Sequence, residues 1–299
     1  MTNSFFILVI VLFSFTANIY TYALEGIPVC YWKKNGVENF GDYISLKLVE
    51  RIVGCQVDAA ETRKEMEHHK LLAIGSILIL ANNDDVVWGT GMNGKRMDLE
   101  LYRFSNLDVH AVRGPLTREF LITNFNIDCP EVYGDPALLF PYLFPDFKKK
   151  DNPEFDYIIV PHYSEEHLFP KDLYPNVVYP TEPWEDVIRK ILNSKFVISS
   201  SLHGVVIAEA YGIPARYLRV TDHEPIFKYN DYYLGTNRPN YNYATSIEDA
   251  IKMGGEPPFE CNVEKLYDSF PFEYWPNAHV ERPEFMQNLD SNLKWHLKV

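Results

Sequence analysis

The sequence predicts an α/β protein made of two halves that face one another across a cleft. Three observations carry this expectation. Short apolar runs recur along the chain, each ending in a turn with glycine or serine that leads into a helical pattern. The pattern pauses at the lysine-rich segment 147–153 and then restarts. The chain has 299 residues, 46% of them hydrophobic, which is enough to furnish two cores. The expected division is a leader over 1–23, a first domain over 24–148 and a second over 149–299.

Taken in order, residues 5–15 form an unbroken apolar block, shorter than the ~20 residues that span a bilayer. Thr21-Tyr22-Ala23 offers a small-residue cleavage site, so the segment reads as a secretory signal peptide. No Lys or Arg precedes Lys33, which leaves a retained signal anchor as the second reading. Either way the body is expected in the lumen of the secretory pathway or outside the cell, with membrane contact only through a retained anchor. Residues 29–32 form a short strand, 33–43 a turn-rich loop, and 44–53 a helix with Ile44, Leu48, Val49 and Ile52 on one face. The charged stretch 61–70, with His68 and His69, reads as an exposed helix. Residues 71–78 give a strand, a Gly75-Ser76 turn and an apolar helix start; 86–92 and 108–112 give two further strands. Pro115 suits the first turn of the helix that follows, and 133–137 closes this half. In the second half 157–160 is a strand, 177–178 a weaker one, 184–194 a helix and 216–220 a strand. Repeated units of this kind predict parallel, doubly wound sheets.

The richest stretch is 196–214, Phe-Val-Ile-Ser-Ser-Ser-Leu-His-Gly-Val-Val-Ile-Ala-Glu-Ala-Tyr-Gly-Ile-Pro. It reads as a buried strand, a polar turn through Ser201, Leu202, His203 and Gly204, then a small-residue helix over 205–211 stopped by Gly212 and Pro214. His203 stands where strand gives way to helix, the place where α/β sheets bind ligands. A capping histidine is the plainer reading of a lone His, but the hydroxyl-rich turn beside it favours a site.

The net charge of −13 argues against nucleic acid or an anionic membrane as a general partner. Any bound anion must be met by a local cluster of cations. Polar and cationic residues do recur just after strands: Asn39, Gly41 and Asp42; Arg113 and Arg118; His162; Ser201, His203 and Gly204; and Arg219, Lys228 and Asp231, with Gly91 in a loop suited to close backbone approach. Arginine beside a helix start suits phosphate or carboxylate, whereas singly each Arg is more often a surface ion pair. Glu209 reads as an outward-facing acid, Arg216 as structural, and Asn83-Asp84-Asp85 as a solvated turn. No HExxH, Walker loop or serine elbow occurs, and no metal ligand set stands out. The four cysteines are spread without a CxxC pair, which leaves one or two disulfides open without a pairing.

With these pieces on view, the chain resembles the polysaccharide pyruvyl transferase family. The matching segments are Asn39-Phe-Gly-Asp42, Val87-Trp-Gly-Thr-Gly91, Val112-Arg-Gly-Pro-Leu-Thr-Arg118, Gly134-Asp-Pro-Ala137, Pro161-His162, the 199–214 block and Lys228-Tyr-Asn-Asp231. The resemblance implies two Rossmann-like domains in a glycosyltransferase B-like arrangement. It also implies transfer of the enolpyruvyl unit of phosphoenolpyruvate onto a sugar of a glycan, galactose being expected, as a cyclic ketal. Phosphoenolpyruvate enters as donor substrate, and no cofactor or metal is expected. Arg113 and His203 would bind the donor, helped by backbone at 202–204, with Lys228 as a weaker phosphate ligand. Asp42 or His162 would act as general base, a choice the residues leave open. Rival readings are a nucleotide-sugar glycosyltransferase and a non-catalytic secreted glycan-binding protein.

Overall fold

A computed structural model of the chain describes residues 26–278 apart from 35, 61–68, 260 and 277. The expected leader, His68 and the C-terminal stretch after 278 lie outside the described residues. The first half runs β1 (Val29–Cys30), a hairpin of β2 (Lys33–Lys34) and β3 (Val37–Glu38), α1 (Phe40–Val53), β4 (Ala59–Ala60), β5 (Leu71–Leu72), β6 (Val86–Trp88), β7 (Asp108–Ala111), α2 (Pro115–Phe125) and α3 (Phe140–Leu143). The second runs β8 (Ile158–Val160), α4 (Trp184–Leu192), β9 (Val197–Ser199), α5 (Leu202–Ala210), β10 (Ala215–Tyr217), α6 (Phe227–Gly235), α7 (Ile247–Met253) and α8 (Val263–Asp268).

Two parallel sheets result, with strand orders β4-β1-β5-β6-β7 and β10-β9-β8. The α/β class with parallel, Rossmann-like sheets is therefore observed. The strands are short and almost wholly buried, as expected when helices cover both faces of a parallel sheet. In the larger sheet the chain steps from β1 outward to β4 and then returns to β5 on the other side of β1. That reversal opens a crevice at the carboxyl ends of β1 and β5.

Helix boundaries follow their caps. Asn39 accepts from Gly41 N at 3.0 Å and starts α1 at Phe40, four residues before the start expected from periodicity. Pro115 opens α2 as expected. Helix α5 begins at Leu202, not at 205, so His203 lies inside its first turn. Residues 78–80 form only a 3-10 turn where an apolar helix was expected, and 177–178 contribute a single bridge to Ile159. One hydrophobic cluster includes Val29, Val86 and Trp88 from the larger sheet and Ile158, Val197 and Tyr217 from the smaller. Helices α1, α4 and α5 pack together in that layer.

Two expectations are overturned by burial. Glu209 is buried, binding Arg238 through paired contacts of 2.8 and 2.7 Å and accepting from the Tyr232 hydroxyl at 2.7 Å. Asp85 is likewise buried, ion-paired with Lys70, so only part of the 83–85 turn is solvated. No two of the four cysteines form a disulfide, which closes the possibility the sequence left open. Arg216 is structural as expected, donating to the carbonyls of Gly254 and Asn242. Among the described residues no helix is long and apolar enough to cross a membrane.

Candidate active site

A cavity of about 340 Å³ opens at the carboxyl ends of β1, β5, β8 and β9. Its polar wall brings together Asn39 and Asp42 of α1, His162 after β8, Ser201 to His203 at the start of α5, and Lys228 of α6. Seven of the expected site residues thus line one cavity, although they come from both halves of the chain.

Asp42 sits in the first turn of α1, its Oδ1 close to the position that a side chain on Gly75 would take. Burial raises its carboxyl to about 6, and Asp135 adds to the rise while His203 and Lys228 oppose it. Such a group is ionised at neutral pH yet still basic. His162 behaves differently. Burial and then the Lys228 ammonium push its imidazole down to about 3, leaving the ring neutral. Its Nδ1 lies 2.8 Å from Ser164 Oγ and 3.2 Å from Glu224 Oε1.

His203 is held from two sides. Its Nε2 is enclosed, 3.6 Å from Asp135 Oδ2, and neither atom has another partner among the described residues. Asp135 is oriented by accepting from Ala137 N at 3.0 Å. Gly41 passes so close to the ring that a methyl group there would collide with Nδ1, which is why α1 carries glycine at this point. Ser201 makes no side-chain cap, and Ser201, Leu202 and His203 line the cavity, so the start of α5 borders it without a side-chain cap. The start of a helix with free N–H groups favours an anion. Gly204 does not line the cavity; a Cβ there would strike Ser199 Oγ and lie 3.1 Å from Val160 Cβ, so its part is to seat α5 on the sheet.

Three expected site residues stand elsewhere. Arg113 is 0% exposed and does not line the cavity. Its guanidinium donates to Asp231 Oδ2 at 3.1 Å, Ser76 Oγ at 2.6 Å and the Met92 carbonyl at 2.6 Å. Asp231 in turn accepts from the N–H groups of Leu116 and Thr117, both at 3.0 Å, and so ties α6 to the start of α2. Arg113 therefore stands one hydrogen bond behind the wall, with Ser76 between it and the cavity. Gly91 lies behind the wall too, where a Cβ would come within 2.6 Å of Arg113 Cζ and Nη2. Arg118 faces away, donating to the Cys129 carbonyl at 2.8 Å and pairing with Glu131 at 3.6 Å.

Cations that sequence reasoning missed take their place. Lys95 and Arg96 line the cavity, and the Arg96 side chain has no hydrogen bond or ion pair among the described residues. Glu224 ties the cluster together, ion-paired with Lys95 and accepting from Lys228 Nζ at 2.8 Å. Burial would raise the Glu224 carboxyl, but the Lys228 ammonium, with Lys95 beside it, outweighs burial and holds it at about 2. Burial lowers the Lys228 ammonium, against the pull of Glu224. The Lys95-Arg96 pair was the one signal in the sequence, since it follows the glycine loop 89–94.

A cation-rich cavity with a buried carboxyl lies at the carboxyl ends of parallel strands, the place where α/β folds bind ligands. The chain belongs to the polysaccharide pyruvyl transferase family, whose model matches residues 39–223, and it is accordingly a transferase. That span takes in Asn39, Asp42, Asp135, His162 and His203. An uncharacterized protein, L143, of Acanthamoeba polyphaga mimivirus is 27% identical over 232 residues, covering 73% of this chain and 78% of its own. The succinoglycan biosynthesis protein ExoV of Rhizobium meliloti is also 27% identical, over 218 residues, 68% of this chain and 62% of that one. Among solved structures, a functionally uncharacterized Klebsiella pneumoniae protein aligns with a TM-score of 0.42 and 11% identity, over 73% of this chain and 93% of its own.

Proposed function

We propose that the protein transfers the enolpyruvyl unit of phosphoenolpyruvate onto a galactose of a glycan, forming a cyclic ketal and releasing phosphate. The observation that carries this is the gathering of Lys95, Arg96, Lys228 and an uncapped helix start in one cavity of a protein with net charge −13. A small donor bearing both phosphate and carboxylate is the kind of ligand such a cluster suits. The two parallel sheets flanking that cavity fit a two-domain, glycosyltransferase B-like arrangement. The apolar block at 5–15 supports work in the secretory pathway.

In this reading Lys95, Arg96 and Lys228 hold the donor anions, and Ser201 with the backbone of Leu202 and Gly204 supplies the helix N-terminus. Arg113 acts through Ser76, and Asn39 and Gly41 set α1 so that Asp42 and His203 converge. His203, steadied by Asp135, protonates the methylene carbon of the donor, and an oxocarbenium-like centre develops at the neighbouring carbon. One sugar hydroxyl adds there as Asp42 takes its proton. The bond to the phosphate oxygen then breaks, and the second hydroxyl closes the ketal. Two protons leave the sugar; the new methyl group gains one and phosphate or solvent receives the other. Asp42 suits the base role better than His162, because a group titrating near 6 accepts a proton far more readily than one near 3.

Incubation of the purified protein with phosphoenolpyruvate and methyl β-galactoside tests the proposal. Stoichiometric phosphate release, together with the mass of a pyruvyl ketal on the sugar, is the expected result. Release of phosphate without modified sugar, or no release with any of a panel of hexosides, would sink it.

A further inference from the structure

We infer that Trp32 and Tyr163 form the platform on which the acceptor sugar ring lies, so that the acceptor enters at the aromatic seam between the two halves of the chain. Trp32 follows β1 and Tyr163 follows β8, so each projects from the carboxyl end of a strand in a different sheet. Both line the cavity, with ring centroids 4.6 Å apart and planes tilted by 45°. Trp32 packs one side against the core of the larger sheet and is only partly buried. The Trp32 indole N–H and the Tyr163 hydroxyl make no hydrogen bond among the described residues, and neither is a buried orphan. Two aromatic rings thus border the cavity, with polar tips that make no hydrogen bond among the described residues. Aromatic side chains of this kind serve surfaces that are apolar at one end and wet at the other.

The chemistry of the acceptor matches. A pyranose presents a face of C–H bonds, which packs on an aromatic ring, and a rim of hydroxyls, which needs donors and acceptors. Ketal formation requires two of those hydroxyls to reach one carbon, so the ring must be gripped by its other face and held in orientation. Tyr163 adjoins the polar wall: its ring lies 4.8 Å from that of His162. Burial and then the charges of Glu224 and Asp42 raise its phenol, as expected for a hydroxyl near both carboxylates. A sugar stacked on this seam would lie with its hydroxyls toward Asp42.

The choice of sugar rests on the pyruvyl-transfer reading, and the test separates the two. Titration calorimetry of methyl β-galactoside, and separately of phosphoenolpyruvate, is run on the full chain and on Trp32→Ala, Trp32→Phe and Tyr163→Ala. Trp32→Ala should weaken the galactoside about tenfold and leave phosphoenolpyruvate within twofold, and Trp32→Phe should restore most of the loss. Should Trp32→Ala fail to fold by thermal melting, Tyr163→Ala carries the comparison, weakening the galactoside alone while Trp32→Phe stays near wild type. The inference is overturned if wild type does not bind the galactoside, if affinity survives in every variant, or if the loss falls on phosphoenolpyruvate. Wild type that binds the galactoside through Trp32 but releases no phosphate would leave the platform standing and remove the pyruvyl-transfer reading.

Discussion

Asp42 titrates near pH 6 because burial outweighs the attraction of His203 and Lys228, and a base must be deprotonated to act. Transfer should therefore speed up as pH rises through about 6 and fall away below it, as a kcat–pH profile will show. Asp42→Asn should lower kcat by about 10²–10⁴-fold and abolish that limb. Stability moves the opposite way. The folded carboxyl titrates near 6 against an ordinary value of 3.8, so between those pH values the folded protein holds a proton that the unfolded chain has lost. Folding is then disfavoured as pH rises through that window. Asp42→Asn removes this cost, and thermal melts at pH 8 should place the inactive variant no lower than wild type. A melting temperature several degrees lower would mean that Asp42 supports the fold instead. Sequence reasoning found both Asp42 and His162 but had no means of choosing. The choice depends on how deeply each is buried and on the charges around it, which residues distant in the chain supply.

The elements that make the site are the starts of α1 and α5, which meet where Gly41 faces His203. Gly41 has no unusual backbone conformation, since it is absent from the positive-φ residues, so a substitution there acts by steric contact alone. Gly41→Ala should leave α1 formed, with its circular dichroism intact, while displacing the His203 ring and cutting kcat by about a hundredfold or more. Activity near wild type would show that the ring has room to move. The approximate positions of both helices were legible in the sequence, because the apolar face of 44–53 and an apolar strand before Ser201 are local signals. Their starts were misplaced by a few residues. Periodicity begins at the first apolar contact, whereas a helix begins at its cap. Helix α6 was not foreseen at all, although it carries Lys228 and Asp231. Its run of aromatic and polar residues has little amphipathic pattern, and Asp231 anchors it to α2 through contacts 114 and 115 positions distant in sequence.

At the scale of the whole molecule, one hydrophobic cluster runs through both sheets and the helices between them. Opening either half would expose apolar surface of the other, so the described body should melt as a unit. Scanning calorimetry should give a single peak whose calorimetric and van't Hoff enthalpies agree; two resolved peaks would show that the halves are independent. The charge distribution is likewise a property of the whole. A surplus of carboxylates makes the exterior repel anions, while burial around Glu224 holds Lys95 and Lys228 together at one place. No single segment carries enough cations to suggest that cluster.

What the sequence determined by itself was the α/β class, the succession of strand, turn and helix, and Asn39, Asp42 and Ser201 to His203 as candidates, all of which line the cavity. Those follow from local rules: apolar runs become buried strands, and caps and glycines mark where helices begin. Only the tertiary structure decided which charges face the cavity. Arg113 was the obvious anion ligand, yet its guanidinium is spent on Asp231, Ser76 and Met92 behind the wall. Lys95 and Arg96, in an unpatterned loop, line the cavity instead. A charged side chain is free or engaged according to its neighbours in space, and long-range packing brings those neighbours together.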